Sequence, residues 1–329
     1  MSRVAIIGAG MGGAALAQAL AGQHDVVLFE KGRGMGGRMA TRQAPGFAFD
    51  HGAQFFTARN PRFVALVEQA MAAGAVAPWD GAIASVAADG SVSLALPRDT
   101  NYVGVPGMNG FVRAVAGDVE FRPGVDVAPL TLRQDDGWRL AAVDGTALGT
   151  FHWVISSTTP HQTQALFAGT GAGAVVPDGL AMLPCYALLL GFEAPFERDW
   201  VMARLAAGPV ALVSINSSKP GRDRAVGTLV VHSSSAWAAS QLEQDPVLTE
   251  AGMVAALREA LDVDASAAPF RALHRWKSAR LDGEANYPPF IDRQRGLGAT
   301  GDWTTGSRVE NVVLSALDLA GMIGDGASG

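Results

Sequence analysis

Val4-Ala5-Ile6-Ile7 runs directly into Gly8-Ala9-Gly10-Met11-Gly12-Gly13 and then into an Ala/Leu-rich segment ending at Leu20. A short apolar run, a glycine cluster and a helix-forming stretch predict a strand, a tight turn and a helix. A second apolar run, Asp25 to Phe29, ends on Glu30. The spacing is that of a dinucleotide fingerprint. Gly8 permits the turn, Gly10 lets the backbone approach a pyrophosphate, and Gly13 lets the helix pack on the strand. The helix N-terminus offers unpaired N–H groups and the positive end of a dipole. Glu30, twenty residues after Gly10, is where a carboxylate accepts hydrogen bonds from a ribose diol.

Alone, this fingerprint does not separate flavin from nicotinamide binding. The next residues narrow the ligand. Lys31-Gly32-Arg33-Gly34-Met35-Gly36-Gly37-Arg38 sets a second glycine turn and two arginines directly after the ribose-binding strand. A single NAD site does not call for it. A longer ligand such as FAD, whose diphosphate and ribityl chain pass beyond the first loop, would use it. Clustering after Glu30 marks Arg38, above Arg33 and Arg42, for diphosphate contact.

The chain is 329 residues long, enough for two domains or one large domain with an inserted lobe. A formal charge of −6 argues against a general nucleic-acid binder. The lone Cys185 excludes an intramolecular disulfide and a Cys-based zinc site, no metal centre is expected, and a reducing cytoplasmic setting fits best. No uninterrupted apolar stretch is long enough to predict a membrane span.

Asn60-Pro61 predicts a helix start, with Phe63, Leu66, Val67 and Ala70 at helical spacing and Gly74 closing it. Asp89-Gly90 predicts a hairpin, and Asp135-Asp136-Gly137 with Asp144-Gly145 a three-stranded meander. Phe151 to Ser156 predicts one apolar strand, and Asp245-Pro246 a helix through Leu261. Further strands are expected over 186–192, 210–215, 228–232, 270–279 and 297–301, and a final helix over 309–323. The fold class expected is α/β: a Rossmann-like FAD-binding domain with a discontinuous second α+β substrate lobe. The boundaries expected are 1–59, 106–162 and 291–329 for the first, and 60–105 and 163–290 for the second.

Five blocks together resemble a known family. They are the first glycine loop, Phe29 through Arg42, Asp50-His51-Gly52-Ala53-Gln54-Phe55-Phe56-Thr57-Ala58-Arg59, and the pair His274-Arg275-Trp276 and Gly301-Asp302-Trp303 with Gly306-Ser307-Arg308-Val309-Glu310. The pattern is similar to bacterial renalases, within the amine-oxidase-like FAD superfamily, over almost the whole chain; residues 160–265 carry little of it. The resemblance implies a two-lobed fold with the flavin ring of FAD at the domain junction; the two glycine loops, and a lone Cys185 away from any flavin motif, point to non-covalent binding. The resemblance also implies oxidation of 2- and 6-dihydro isomers of NAD(P) to NAD(P)⁺, with oxygen reduced to hydrogen peroxide.

Such chemistry asks little of side chains, because a hydride passes to the flavin and no carbon-bound proton needs a base. Positioning and charge stabilisation carry the rate. Asp302, read as the end of a strand, would accept from a ribityl hydroxyl. A helix beginning at Val309-Glu310 would aim its dipole at the flavin edge that gains negative charge. Gln54 is a further cofactor candidate. His274 and Trp276 share one face of their strand, Arg275 and Lys277 the other. His274, Trp276 and Trp303 are the candidate catalytic residues. Lys277 reads as a solvated strand lysine, and His51 as part of a turn shaping the pocket. Two alternatives stay open. A flavin amine oxidase usually frames its amine with two aromatic side chains, and this chain has only Tyr102, Tyr186 and Tyr287. A flavin-bound redox sensor without turnover is the other.

Overall fold

The computed structural model describes residues 1–131 and 133–324. Strand β1 (Arg3–Ile7), helix α1 (Met11–Ala21) and strand β2 (Asp25–Glu30) form the predicted unit. Val4, Ala5 and Ile6 are wholly buried, as expected of a parallel strand covered on both faces. β1 lies between β2 and Trp153–Ser156, with Ala5 opposite both Val27 and Val154. The six-stranded sheet runs Phe290–Asp292, Leu297–Ala299, Trp153–Ser156, β1, β2, Glu120–Pro123. Only the Phe290–Asp292 edge is antiparallel. The expected strand over 151–156 is divided: Phe151 ends the meander Arg133–Gln134, Gly137–Ala141, Ala147–Phe151. His152 makes the break, donating its N–H to the Arg3 carbonyl at 2.9 Å and accepting the Arg3 N–H on Nδ1 at 2.9 Å.

After β2 come a hairpin of β3 (Thr41–Ala44) and β4 (Phe47–Asp50), then helix α2 (Pro61–Ala72). Asn60 caps α2 by accepting from Arg62 N at 3.0 Å. Its Phe63, Val67 and Ala70 join the core that α1 also enters, packing with α3 (Met108–Ala116) and with the C-terminal helix Val309–Gly324. The stretch 60–105 therefore contributes to both parts of the molecule. α2 and the pair Val76–Pro78/Tyr102–Gly104 share the nucleotide-side core, because their apolar faces meet Phe56 and Phe111 there. The hairpin Ile83–Val86/Val92–Ala95 instead extends the second sheet.

α4 (Pro160–Phe167) leads from the first sheet toward the second and opens with a Thr159/Gln162 capping box. The second sheet has seven strands. Its order is Phe270–Leu281, Met182–Phe192, Gly227–Ser233, Val210–Ile215, Met202–Leu205, Ile83–Val86, Val92–Ala95. A helix over Pro246–Leu261, capped by Asp245, contributes Met253 and Leu257 to the core of one face. The other face receives the β3–β4 hairpin, with Phe49 stacked on Phe270 at 5.3 Å. Among the described residues no helix is long and apolar enough to cross a membrane.

Candidate functional site

The two glycine loops form one platform of backbone. Gly8 has φ +104°, and a Cβ there would stand 2.6 Å from the Ser157 carbonyl oxygen. A Cβ on Gly13 would lie 1.9 Å from the Gly8 carbonyl oxygen, so helix and strand touch as the fingerprint requires. Gly10 has nothing within 4 Å of that position and keeps an open face. The second loop docks against it: Gly36 N–H donates to the Ala9 carbonyl at 2.9 Å, and Gly36 bridges to Gly10. Gly37, at φ +53°, leaves only 3.3 Å between its would-be Cβ and the Gly10 Cα. Glu30 accepts from Ala9 N at 2.9 Å and from Gly32 N at 2.7 Å. Each carboxylate oxygen keeps further lone-pair capacity. Lys31 stands exposed beside it.

Arg38 turns away from the glycines toward Asp302. Its Nη1 donates to Asp302 Oδ2 at 2.5 Å and to the Ala279 carbonyl at 3.3 Å. Ser307 Oγ donates to the same Oδ2 at 2.7 Å. Asp302 is buried, and its Oδ1 has no hydrogen-bond partner. A buried carboxylate oxygen without a donor is costly and suits a ligand hydroxyl. Asp302 begins the short helix Asp302–Thr305 rather than ending the strand, which stops at Ala299. Val309, half-buried, opens the C-terminal helix, whose first-turn N–H groups have no partner within the helix.

The long strand Phe270–Leu281 crosses the junction. Its pairing with Met182–Phe192 shifts between Leu183 and Cys185, setting residues 277–279 against the single Pro184. That bulge is the segment whose Ala279 carbonyl meets Arg38. Before it, His274 and Trp276 face the turn after β4. His51 stacks on Trp276 with ring centroids 5.0 Å apart and meets His274 edge-on at 4.7 Å. The His51 carbonyl accepts from Trp276 Nε1 at 2.9 Å and from His232 Nε2 at 3.1 Å. Burial, aided by His274 and then Arg42, lowers the His51 pKa to about 4. Burial and then Arg42 also lower that of His274. Burial brings His232 to about 4. All three imidazoles are neutral at neutral pH. His51 and Trp276 are stacked at 26°, and His274 stands edge-on to both, so the three rings make an uncharged aromatic cluster rather than one plane.

Three expected site residues have other work. Trp303 is buried among Phe29, Phe151 and Leu297, and its Nε1 donates to the Thr158 carbonyl at 3.2 Å. It presents no face to the His274–Trp276 wall. Glu310 accepts from Arg59 N at 2.7 Å and Asn60 N at 2.6 Å, closing the N-terminus of α2. Gln54 donates to the Asp50 and Gly52 carbonyls and accepts from Lys219 Nζ at 3.0 Å. Lys277 is exposed, in keeping with a solvated strand lysine.

Gln54 belongs to a buried ionic cluster beneath the His51 turn. Asp50 Oδ2 takes Lys219 Nζ at 3.2 Å and Arg222 Nη2, while Oδ1 takes Thr41 Oγ1 at 2.7 Å and Met108 N at 2.9 Å. Burial opposes ionisation of Asp50, but Lys219 and Arg222 outweigh it and hold its pKa at about 2. Lys219 and Arg222 lie in Asn216-Ser217-Ser218-Lys219-Pro220-Gly221-Arg222, which reads locally as a polar surface turn. Nothing local in Asp50-His51 identifies Lys219 or Arg222 as partners, because they lie 169 and 172 residues further along the chain.

Residues 6–70 match the family described as NAD(P)-binding Rossmann-like domain. Solved structures are similar along the whole chain. Cyclohexylamine oxidase from Brevibacterium oxydans IH-35A matches with a TM-score of 0.71, 15% identity and 100% of both chains covered. Putrescine oxidase bound to putrescine matches with a TM-score of 0.71, 14% identity, and 98% of this chain and 99% of that one. A candidate protoporphyrinogen oxidase from Exiguobacterium sp. 255-15 matches with a TM-score of 0.72, 13% identity and 98% of each chain. The protein therefore has the mixed α/β fold of these structures, with a Rossmann-like dinucleotide-binding domain at its N-terminal end.

Proposed function

We propose that this protein is an FAD-dependent oxidase of 2- and 6-dihydro isomers of NAD(P), with oxygen as acceptor. The observation that carries the flavin assignment is the bare, buried Oδ1 of Asp302, set across Arg38 from the double glycine platform. The residues fit FAD bound without a covalent link. Gly8, Gly10, Gly13 and the α1 N-terminus would hold the diphosphate, with Gly36 and Gly37 supporting them. Glu30 would take the ribose diol, and Asp302 a ribityl hydroxyl. FAD, when bound, supplies a two-electron acceptor that oxygen can reoxidise. The reaction balances as dihydronicotinamide, oxygen and one solvent proton giving the oxidised nicotinamide and hydrogen peroxide.

The chain's own part is to orient. Trp276 and the neutral His51 and His274 would lie against the dihydropyridine, and loss of a hydride leaves no proton for them to remove. Trp276 is itself held by its bond to the His51 carbonyl at 2.9 Å. A second reading, an amine oxidase, is favoured by the likeness to the putrescine and cyclohexylamine oxidase structures. The tyrosines do not help it. Tyr186 is buried with its hydroxyl on the Gln241 carbonyl, Tyr102 stacks on Phe56 in the nucleotide-side core, and Tyr287 is exposed. The test is an anaerobic screen of flavin bleaching. Fast reduction by 2- or 6-dihydronicotinamide dinucleotides and slow reduction by the 4-dihydro form are expected. Faster bleaching by a simple amine would replace this reading with the second. Bleaching without peroxide release in air would leave a sensor.

A further inference from the structure

We propose that Arg42 is the anion anchor of the substrate, holding a phosphate of the dinucleotide while the nicotinamide lies against the wall of His51, His274 and Trp276. The proposal rests on the reading above and names the part of the substrate that the aromatic wall cannot recognise.

The geometry comes from the β3–β4 hairpin. Arg42 stands directly opposite Phe49, so the two side chains leave the hairpin on the same face. Phe49 stacks on Phe270, which fixes that face as the one turned to the long strand carrying His274 and Trp276. The neighbouring pair Thr41 and Asp50 points the other way, into the Lys219 cluster, so Asp50 does not neutralise Arg42. Other arginines near the junction are committed: Arg38 to Asp302, Arg222 to Asp50, Arg308 to Glu310. Among the described residues, Arg42 has no ion-pair partner and its guanidinium makes no hydrogen bond. Its charge nevertheless reaches His51 and His274, where it helps keep both imidazoles neutral.

An unpaired guanidinium that reaches solvent from a half-buried residue, beside a neutral aromatic wall, is arranged for an anion. Its planar fork suits a phosphate in two-point contact. A protonated amine would be repelled there. The inference therefore predicts discrimination by phosphate and not by the ring alone.

The experiment compares the flavin-loaded wild type with Arg42→Gln and Arg42→Lys. The substrates are a 2- or 6-dihydronicotinamide dinucleotide and the matching dihydronicotinamide riboside, which has no phosphate. For the dinucleotide, Arg42→Gln should raise KM about ten- to hundredfold, the scale of a lost charged hydrogen bond, with kcat changed far less. Arg42→Lys should recover part of the loss, and the riboside's KM should hardly move. Inorganic pyrophosphate should compete with the dinucleotide in the wild type and lose potency in Arg42→Gln. NMR titration should show the His274 imidazole pKa rising in Arg42→Gln. Equal effects on dinucleotide and riboside, or no competition by pyrophosphate in the wild type, would overturn the anchor. Failure of every dihydronicotinamide to reduce the wild-type flavin would overturn the oxidase reading instead. If Arg42→Gln does not fold, the pyrophosphate competition and Arg42→Lys still decide the matter.

Discussion

Arg38 Nη1 donates to Asp302 Oδ2 at 2.5 Å, joining the second glycine loop to the turn before the C-terminal helix across 264 residues of sequence. The same nitrogen reaches the Ala279 carbonyl, so the long strand of the second sheet is tied into the contact. One oxygen of Asp302 is thereby held by two donors, Arg38 and Ser307, while the other stays bare. The carboxylate is oriented by the protein's own donors. Preorganisation of this kind removes an ordering cost from binding.

Retention of the proposed FAD is the first test of that geometry. Asp302→Ala and Glu30→Ala should each weaken FAD binding by about ten- to hundredfold, the equivalent of roughly 1.5–3 kcal/mol for a hydrogen bond to a charged group. Asp302→Ala also strips Arg38 of its partner, so its effect should be the larger. Flavin content after exhaustive dialysis and the rise in Tm on adding FAD measure both variants. Full occupancy in either would remove that residue from the cofactor site.

Glu310 gives the opposite expectation. Its Oε1 takes two backbone N–H groups at the start of α2, and the residue is 5% exposed. Glu310→Ala should lower stability by about 1–3 kcal/mol by leaving those donors unpaired. The urea midpoint should fall while flavin content stays at the wild-type level. Loss of flavin with an unchanged midpoint would return Glu310 to the cofactor.

The contrast between Asp302 and its neighbours shows what a sequence can disclose. Gly8, Gly10, Gly13 and Glu30 were legible because the chemistry of that unit is local: their spacing sets strand, turn and helix directly. Helices at Asn60-Pro61 and Asp245-Pro246 were legible for the same reason. Side-chain direction at a bend was not. Asp302 turns to Arg38, while Trp303, one residue on, turns back to Thr158. Gln54 sits inside a recognisable block, yet its partner Lys219 is 165 residues away in a segment that imitates a surface turn. Local pattern locates a residue; only packing between distant segments tells which way it faces.

His274 should orient substrate without carrying a proton. Burial, and then the charge of Arg42, hold its pKa below the ordinary 6.5. The imidazole is then uncharged throughout the neutral range, and its titration lies on the acid side. His274→Asn should keep the anaerobic reduction rate within about tenfold, since a lost general acid or base would cost about 10²–10⁴. The wild-type rate should show no break attributable to His274 at or above pH 6.5. Stopped-flow reduction across pH 5–9 checks both points. A rate collapse in the variant, with a wild-type break near neutrality, would make His274 a proton carrier.

The buried cluster of Asp50, Lys219 and Arg222 holds two cations against one carboxylate, and its two halves titrate differently. Asp50 falls from 3.8 to about 2, so folding favours its charged form. That contribution, about 2 kcal/mol, is present above pH 3.8 and lost as pH drops through about 2. Lys219 is also lowered, from 10.5 to about 8, because burial and then Arg222 outweigh the attraction of Asp50. Its ammonium is therefore a burden on the folded state below pH 8, and stability should climb as pH rises from about 8 toward 10.5. The surplus charge thus sits on Lys219. Asp50→Asn, which leaves both cations without a counter-charge, should cost about 3–5 kcal/mol. Lys219→Met keeps the Asp50–Arg222 pair, so it should cost much less and abolish the alkaline climb. Urea midpoints of wild type and both variants at pH 3, 6.5 and 9.5 decide it. A Lys219→Met loss as large as that of Asp50→Asn would show the ammonium to be a needed partner, and the surplus would then belong to Arg222.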